Sequence, residues 1–156
     1  MSTEALIITR DQFLKQWQGH RGLTRRVIEA FPDDKLFAYT SGGMRPFSAL
    51  AMEFLAMTTP TLNGIITGKW ESYAEPKATT KAEILEQWDK TTKELDELFP
   101  KIPAGRFQEV DTAFGQWKMP IYALLLYVVD NEVHHRGQGY VYLRELGIDP
   151  PPFYER

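Results

Sequence analysis

The chain has 156 residues, of which 43% are hydrophobic and 25% are charged, which is typical of one globular domain with a sizeable core. A net charge of −3 without any long basic run argues against a broad phosphate-binding surface, so we expect no nucleic-acid partner. The absence of cysteine excludes disulfides, thiol nucleophiles and thiolate metal sites, which leaves His, Asp, Glu and Asn as possible ligands.

The sequence also gives expectations about the compartment. Segment 1–13 lacks a basic region followed by an apolar core, which is the pattern of a secretory leader. A membrane-spanning helix requires about 18 consecutive apolar residues, and the sequence contains no such run. We therefore expect a soluble, cytoplasmic protein with no membrane partner.

The first predicted helix runs from Thr9 to Ala30. Thr9 and Gln12 fit a capping box, and apolar residues then recur at helical spacing until Pro32. His20 lies on or beside the apolar stripe without an acidic or imidazole neighbour three or four residues away. It is therefore interpreted as a packed residue and not as a ligand.

The second predicted helix starts between Met44 and Phe47, after a connector over residues 31–43. Glu53 lies within the apolar side of this helix or at its border. A lone carboxylate is seldom buried without a partner. The alternative is that Glu53 simply faces solvent. Pro60 is expected to interrupt the helix near its end, with a further kinked turn over residues 61–67.

The next predicted elements are a surface crossing over residues 68–79 and a third helix over residues 81–98. Thr80 and Glu83 form a second capping box at the start of that helix. Residues 107–110 and 113–117 are expected either to pair as a short hairpin around Asp111-Thr112 or to lie as a loop over the bundle.

The fourth predicted helix, from Pro120 to Gly147, changes from apolar to polar along one side. The residues that share this side are Leu124, Val128, Asn131, His135, Gln138 and Tyr142. Asn131 and His135 are four residues apart, so they project side by side, as two ligands of one metal ion must. The alternative is a core histidine with satisfied hydrogen bonds.

These elements predict an all-α protein, a four-helix bundle with long crossover connections, as a single domain over residues 1–156. The fourth helix has a second apolar line, formed by Leu126, Val129, Val133 and Tyr140. This line favours a homodimer, built through it together with the first helix.

The segment 134–138, His-His-Arg-Gly-Gln, begins a pattern that continues with Tyr142-Leu143-Arg144, Leu146-Gly147 and the prolines after them. This pattern resembles the C-terminal signature of the DinB/YfiT-like superfamily of metalloenzymes. Softer similarity extends over residues 32–36 and 45–51 and to Phe114-Gly115.

The resemblance implies a four-helix bundle, commonly dimeric, that holds a divalent metal, usually nickel or zinc, with three histidines. One histidine comes from the second helix and two come from the fourth, four residues apart. Transferred to this chain, the three ligand positions fall on Glu53, Asn131 and His135. Two of the three family histidines are thus replaced, by a carboxylate and by an amide, which is a weaker ligand than imidazole.

Two functions follow from these observations. The first is a metal-dependent hydrolase or thiol transferase of unknown substrate, in which Glu53, Asn131 and His135 hold the ion and no catalytic residue is identified. Arg136 is expected to form a salt bridge, and Gln138 to orient a ligand or cap a neighbouring helix. The alternative is a catalytically silent, metal-free dimeric bundle that binds a small ligand or a protein partner, with Glu53 and His135 paired directly.

Overall fold

The computed structural model describes residues 4–156, so the first three residues of the N-terminal segment discussed above lie outside it. The elements are α1 (Arg10–Ala30), α2 (Asp33–Ala38), α3 (Phe47–Thr67), α4 (Lys81–Leu98), β1 (Val110–Ala113), β2 (Trp117–Pro120) and α5 (Ile121–Glu145). Two short 3₁₀ helices, Phe99–Lys101 and Ala104–Gln108, connect α4 to β1.

The four long helices form a closed bundle. Helix α1 packs against α4 and α5, and α3 packs against the same two helices from the opposite side. Consecutive long helices α1 and α3 are therefore mainly diagonal neighbours, joined by a crossing connection. The prediction of a four-helix bundle with crossover connections is confirmed.

Two helix starts follow directly from the sequence. The Thr9 hydroxyl accepts a hydrogen bond from the Gln12 N–H at 3.2 Å, and the Gln12 side chain accepts one from the Thr9 N–H at 2.8 Å. Thr80 and Glu83 form the same reciprocal arrangement at the start of α4. A cap of this kind contributes about 1 kcal/mol to stability, and both predicted boxes are confirmed.

Helix α3 corrects the expectation that Pro60 interrupts the second helix. It continues through Pro60 to Thr67 and ends where Gly68 adopts a φ of 71°. Proline removes one backbone donor, at a cost of about 3 kcal/mol in a helix interior. The residues after it keep the helix in place because Thr61, Leu62 and Ile65 are buried in the core.

The connector after α1 contains the short helix α2, which the sequence pattern did not reveal. A six-residue helix is too short to show a recognisable apolar period. Its Leu36 is fully buried in a core cluster with Phe31 and Phe47.

The hairpin exists, but with different strands from those predicted. Val110 pairs with Pro120 and Ala113 pairs with Trp117, so the turn lies at Phe114-Gly115 and not at Asp111-Thr112. Phe114 and Gly115 both adopt positive φ, 53° and 70°, as tight hairpin turns require. Asp111 cannot serve as the turn because it belongs to β1.

The core consists of two clusters at different heights in the bundle. One gathers around Phe31, Phe47, Phe54, Trp88 and Tyr142. The other gathers around Trp17, Leu62, Leu95, Phe99 and Leu125. Helix α5 contributes residues 121–129 to one cluster and residues 142–143 to the other, so its polar middle lies between them.

The second apolar line of α5 is only partly on the surface. Leu126 and Val133 are 45% and 38% exposed, whereas Val129 is buried and Tyr140 is half-buried. In residues 4–156, no helix has the length and hydropathy that a bilayer crossing needs.

Candidate metal centre and adjoining pocket

The three predicted ligand positions converge in the middle of the bundle. Glu53 projects from α3, and Asn131 and His135 project from adjacent turns of α5. Glu53 Oε1 lies 3.1 Å from Asn131 Nδ2 and 3.6 Å from His135 Nε2. The Glu53 and His135 side chains are 21% and 17% exposed, so the group is half-buried and reachable from solvent.

The His135 imidazole is held by Gln138 and Phe54. Its Nδ1 lies 3.2 Å from Gln138 Oε1, one turn further along α5. The ring stacks on Phe54 with 6.1 Å between centroids, and His134 contacts its edge. With Gln138 Oε1 as the acceptor, Nδ1 carries the proton and the Nε2 lone pair points toward Glu53. Gln138 therefore orients the imidazole that is the candidate ligand.

The carboxylate of Glu53 is held by two donors. Arg45, in the loop before α3, donates to Oε2 at 2.6 Å, and Asn131 donates to Oε1. Burial by itself raises the pKa of Glu53, but the hydrogen bonds from Arg45 and Asn131 outweigh burial and lower it overall. The carboxylate is therefore ionised at neutral pH, as a metal ligand has to be.

These side chains fit a weak divalent-metal site. Two ligand atoms about 2.1 Å from one tetrahedral ion lie roughly 3.4 Å apart, close to the separation of Glu53 Oε1 and His135 Nε2. The third donor is an amide, whose Nδ2 faces Glu53; turning it over offers Oδ1 to the ion and leaves Arg45 as the donor that holds Glu53. No cluster of three or more His, Cys, Asp or Glu side chains suited to a metal occurs in residues 4–156, so the set depends on Asn131.

A pocket of about 330 Å³ adjoins Glu53. It opens between α3, α5, the hairpin and the crossing 68–79, and its volume suits a small organic molecule. The lining residues are Glu53, Ala56, Met57, Thr61, Tyr73, Glu75, Phe114, Trp117, Met119, Leu124, Tyr127 and Val128.

The outer wall of the pocket is fixed to the bundle by Trp70. The indole lies against Gly64 of α3 so closely that an added Cβ would be 2.1 Å from the ring. Its Nε1 donates to Asp111 Oδ2 at 3.2 Å, and Arg106 pairs with the same carboxylate. The crossing and the hairpin are therefore tied to each other and to α3.

On the other side of α5 lies a buried polar group that sequence reasoning missed. Arg136 donates to the His20 carbonyl and to the Thr24 hydroxyl, both at 3.1 Å, and its Nη2 lies 3.1 Å from His20 Nδ1. The Thr24 hydroxyl in turn donates to Glu132 at 2.5 Å.

The predicted salt bridge of Arg136 is wrong, because hydrogen bonds to α1 satisfy its guanidinium and none of its nitrogens forms an ion pair in the described chain. His20 is packed, as predicted, and is 7% exposed. The available signal was the four-residue spacing of Glu132 and Arg136 on a side of α5 that also carries buried Val129 and Leu143.

The chain is a helical bundle in which the candidate ligands come from α3 and α5 and adjoin a small-molecule pocket. It therefore belongs to the class of bundle proteins that build their sites between facing helices. The family model described as the DinB family matches residues 1–156, and the chain belongs to this family.

Two relatives are uncharacterised proteins of Bacillus subtilis (strain 168). YjoA is 23% identical over 149 residues, which cover 94% of this chain and 96% of YjoA. YrdA is 26% identical over 153 residues, which cover 94% of this chain and 88% of YrdA.

Two crystal structures share the fold. A DinB-like protein from Bacillus subtilis, YjoA, has a TM-score of 0.74 at 21% identity, covering 93% of this chain and 98% of its own. A DinB-like protein from Bacillus cereus ATCC 10987 has a TM-score of 0.74 at 20% identity, covering 92% and 97%. At these identities the similarity defines the fold alone.

Proposed function

We propose that Glu53, Asn131 and His135 bind one divalent cation, nickel or zinc, and that the adjoining pocket holds the substrate of a metal-dependent hydrolase or thiol transferase. The observation that supports this proposal is the approach of His135 Nε2 to Glu53 Oε1 at 3.6 Å. In the tautomer with the proton on Nδ1 these are two acceptor atoms, which repel at this distance unless a cation lies between them.

When bound, such an ion supplies a Lewis acid that activates a water molecule or a substrate thiol. The residues of the chain have separate tasks. Gln138 fixes the direction of the imidazole through Nδ1, and Arg45 holds the far oxygen of Glu53 so that Oε1 faces the centre. The apolar pocket walls exclude water from a substrate placed beside these groups.

Elemental analysis tests this proposal. Protein prepared without a histidine tag is dialysed against nickel or zinc and then against metal-free buffer, and metal per chain is measured. We expect about one ion per chain in the wild type and close to none in His135→Ala. His134→Ala is the matched control, because His134 is exposed and does not face Glu53. Equal metal content in wild type and His135→Ala would overturn the proposal.

A second candidate function is a metal-free protein that binds a small ligand in the same pocket. The Arg45–Glu53 ion pair supports it, because a guanidinium at 2.6 Å already neutralises the carboxylate that a metal needs. In that case Glu53 and His135 contact each other directly, without an ion between them.

Thermal unfolding with and without a strong chelator separates the two candidates. The metal centre predicts a lower midpoint in the chelator for protein loaded with metal, because a ligand that binds only the folded state stabilises it. The metal-free protein predicts that the chelator leaves the unfolding curve of the wild type unchanged, and likewise that of His135→Ala, although the two curves differ because the variant loses the contacts of the imidazole. A chelator effect that persists in His135→Ala would point to a metal site elsewhere in the chain.

A further inference from the structure

The pocket beside Glu53 has aromatic side chains on several walls. Tyr73 comes from the crossing 68–79, Phe114 and Trp117 from the hairpin, and Tyr127 from α5. The ring planes of Tyr73 and Phe114 meet at 68° with 5.0 Å between centroids, and those of Phe114 and Trp117 meet at 77° with 6.3 Å between centroids. Nearly perpendicular rings that line one pocket border it on more than one side.

The backbone of Phe114 supports a functional reason for this corner. Its φ of 53° is the only positive φ of a non-glycine residue among residues 4–156. A side chain in this conformation costs about 1–2 kcal/mol. Such strain occurs where the surrounding structure requires it, and here it directs the phenyl ring between Tyr73 and Trp117.

The charge of the pocket has one sign. Glu53 and Glu75 both line it, and its lining contains no lysine, arginine or histidine. Within residues 4–156, Glu75 takes part in no ion pair, whereas Glu53 is paired with Arg45 on its outer oxygen. Burial raises the pKa of the Tyr73 phenol, and the nearby charges of Glu53 and Glu75 raise it further. Both carboxylates therefore act on the part of the pocket where the aromatic rings meet.

We propose that the ligand of this pocket is a small organic cation, an amine or a quaternary ammonium compound, held by the faces of Tyr73, Phe114, Trp117 and Tyr127 and by the charge of Glu75. This inference deepens the proposed function, because it rests on the pocket being the small-molecule site, but it does not require a bound metal.

The selectivity follows from the chemistry of the lining. The face of an aromatic ring carries negative charge density, so it attracts a cation lying within about 6 Å of its centre. A carboxylate without a cationic partner adds attraction at longer range and repels anions. An apolar pocket without these features prefers the neutral molecule of the same shape, because burying an unpaired charge costs free energy.

Three probes of nearly the same shape test this inference: choline, its neutral carbon analogue 3,3-dimethylbutan-1-ol, and the anion 3,3-dimethylbutanoate. Binding to the metal-free wild-type protein is followed by NMR chemical-shift changes and by Trp fluorescence. We expect choline to bind at least about fivefold more tightly than the neutral alcohol, and the anion to bind most weakly.

Substitutions of lining residues test whether the probes bind in this pocket. Trp117→Ala, at a position that is 50% exposed and therefore tolerant of truncation, is expected to weaken choline binding about three- to tenfold. Glu75→Gln is expected to weaken choline binding and to leave that of the alcohol unchanged. Glu71→Gln is the matched control, because Glu71 is an exposed carboxylate of the same crossing that does not line the pocket.

The outcomes separate this inference from the proposed function. Equal binding of choline and the alcohol, with loss in Trp117→Ala, overturns the cationic class and leaves the pocket as a small-molecule site. No binding of any probe, or binding that both Trp117→Ala and Glu75→Gln leave unchanged, overturns the inference. The metal proposal is judged separately by metal content, which none of these outcomes alters.

Discussion

His135 Nε2 and Glu53 Oε1 face each other at 3.6 Å across the α3–α5 interface. This distance is too long for a hydrogen bond, and it suits two atoms that share one ion. The two residues are far apart in the sequence, and the packing of α3 against α5 between the two core clusters brings them together.

Replacing the amide of the candidate metal centre with imidazole should strengthen metal binding. Asn131→His gives α5 two imidazoles four residues apart on one side of the helix, the arrangement that the family resemblance implies. We expect the affinity for zinc or nickel to rise about tenfold or more, because imidazole is a much better ligand than a carboxamide.

Isothermal titration with each metal measures this change. Gln138→Ala is an informative companion variant, since it removes the partner of His135 Nδ1 and should weaken binding about tenfold or more. An unchanged affinity in Asn131→His would show that this side chain does not reach the ion.

The stability of the protein should fall on acidification because of His20. Burial, followed by the charges of Arg136 and Arg156, lowers the pKa of His20 from 6.5 to about 4. The unfolded chain therefore takes up this proton first as the pH falls. Between about pH 6.5 and pH 4 the free energy of unfolding decreases, by at most about 3.5 kcal/mol at roughly 1.4 kcal/mol per pKa unit.

Urea unfolding of the wild type and of His20→Asn between pH 4 and pH 7 checks this pH dependence. Asparagine keeps an acceptor for Arg136 but does not titrate, so the slope in this range should become shallower in the variant. Glu132 acts in the opposite sense, because burial raises its pKa and favours the protonated folded state. Since Glu132 is present in both proteins, the difference between the two slopes isolates His20. A variant with the slope of the wild type would contradict the assignment.

Two glycines of α5 should respond in opposite directions to alanine. At Gly139 an added Cβ would lie 2.6 Å from the Phe47 ring, which is fully buried and stacked on Phe31. We expect Gly139→Ala to destabilise the protein by about 1–3 kcal/mol through overpacking. At Gly137 a Cβ meets no atom within 4 Å, and Gly137→Ala should add roughly 0.5–1 kcal/mol through helix propensity. Chemical denaturation measures both, and a stabilised Gly139→Ala would contradict the close α3–α5 packing.

The protein is expected to form a homodimer through the exposed apolar side of α5. Tyr122, Leu126, Val133 and Val141 are 38–47% exposed and lie along one side of this helix. Size-exclusion chromatography with light scattering at micromolar concentration should give twice the mass of one chain. The double variant Leu126→Glu, Val133→Glu should give the mass of one chain, because buried unpaired carboxylates oppose association.

Val110→Glu is the control for the effect of an added carboxylate, since Val110 is an exposed apolar residue of β1 and not part of that side of α5. A monomeric wild type would contradict the dimer without affecting the site within one chain.

The sequence predicted those features that depend on local spacing. The capping boxes at Thr9 and Thr80 define two helix starts, and the four-residue spacing of Asn131 and His135 defines their common side. The sequence indicates Glu53 as a candidate ligand for two reasons. A carboxylate in an apolar helix is unusual, and Glu53 occupies the ligand position that the family resemblance implies for this helix. Its partner Arg45 was not foreseen, because their contact depends on how the loop enters α3.

Features that depend on long-range packing could not be predicted from sequence patterns. The aromatic wall of the pocket depends on a turn at Phe114, where a bulky residue adopts a conformation that local preferences disfavour. His20 and Arg136 are 116 positions apart, yet their side chains are in contact. The sequence predicts a packed histidine and a salt-bridged arginine, and neither prediction implies that the two residues meet. Periodicity within one helix carries no information about such pairs.

A crystal structure of the protein saturated with nickel or zinc, with data collected at the absorption edge of the metal, tests directly whether Glu53 and His135 bind one ion. We expect an anomalous peak about 2.0–2.3 Å from both His135 Nε2 and Glu53 Oε1, with Asn131 beside it. A map with no peak between α3 and α5 at saturating metal, or with metal only on exposed His134, would contradict it.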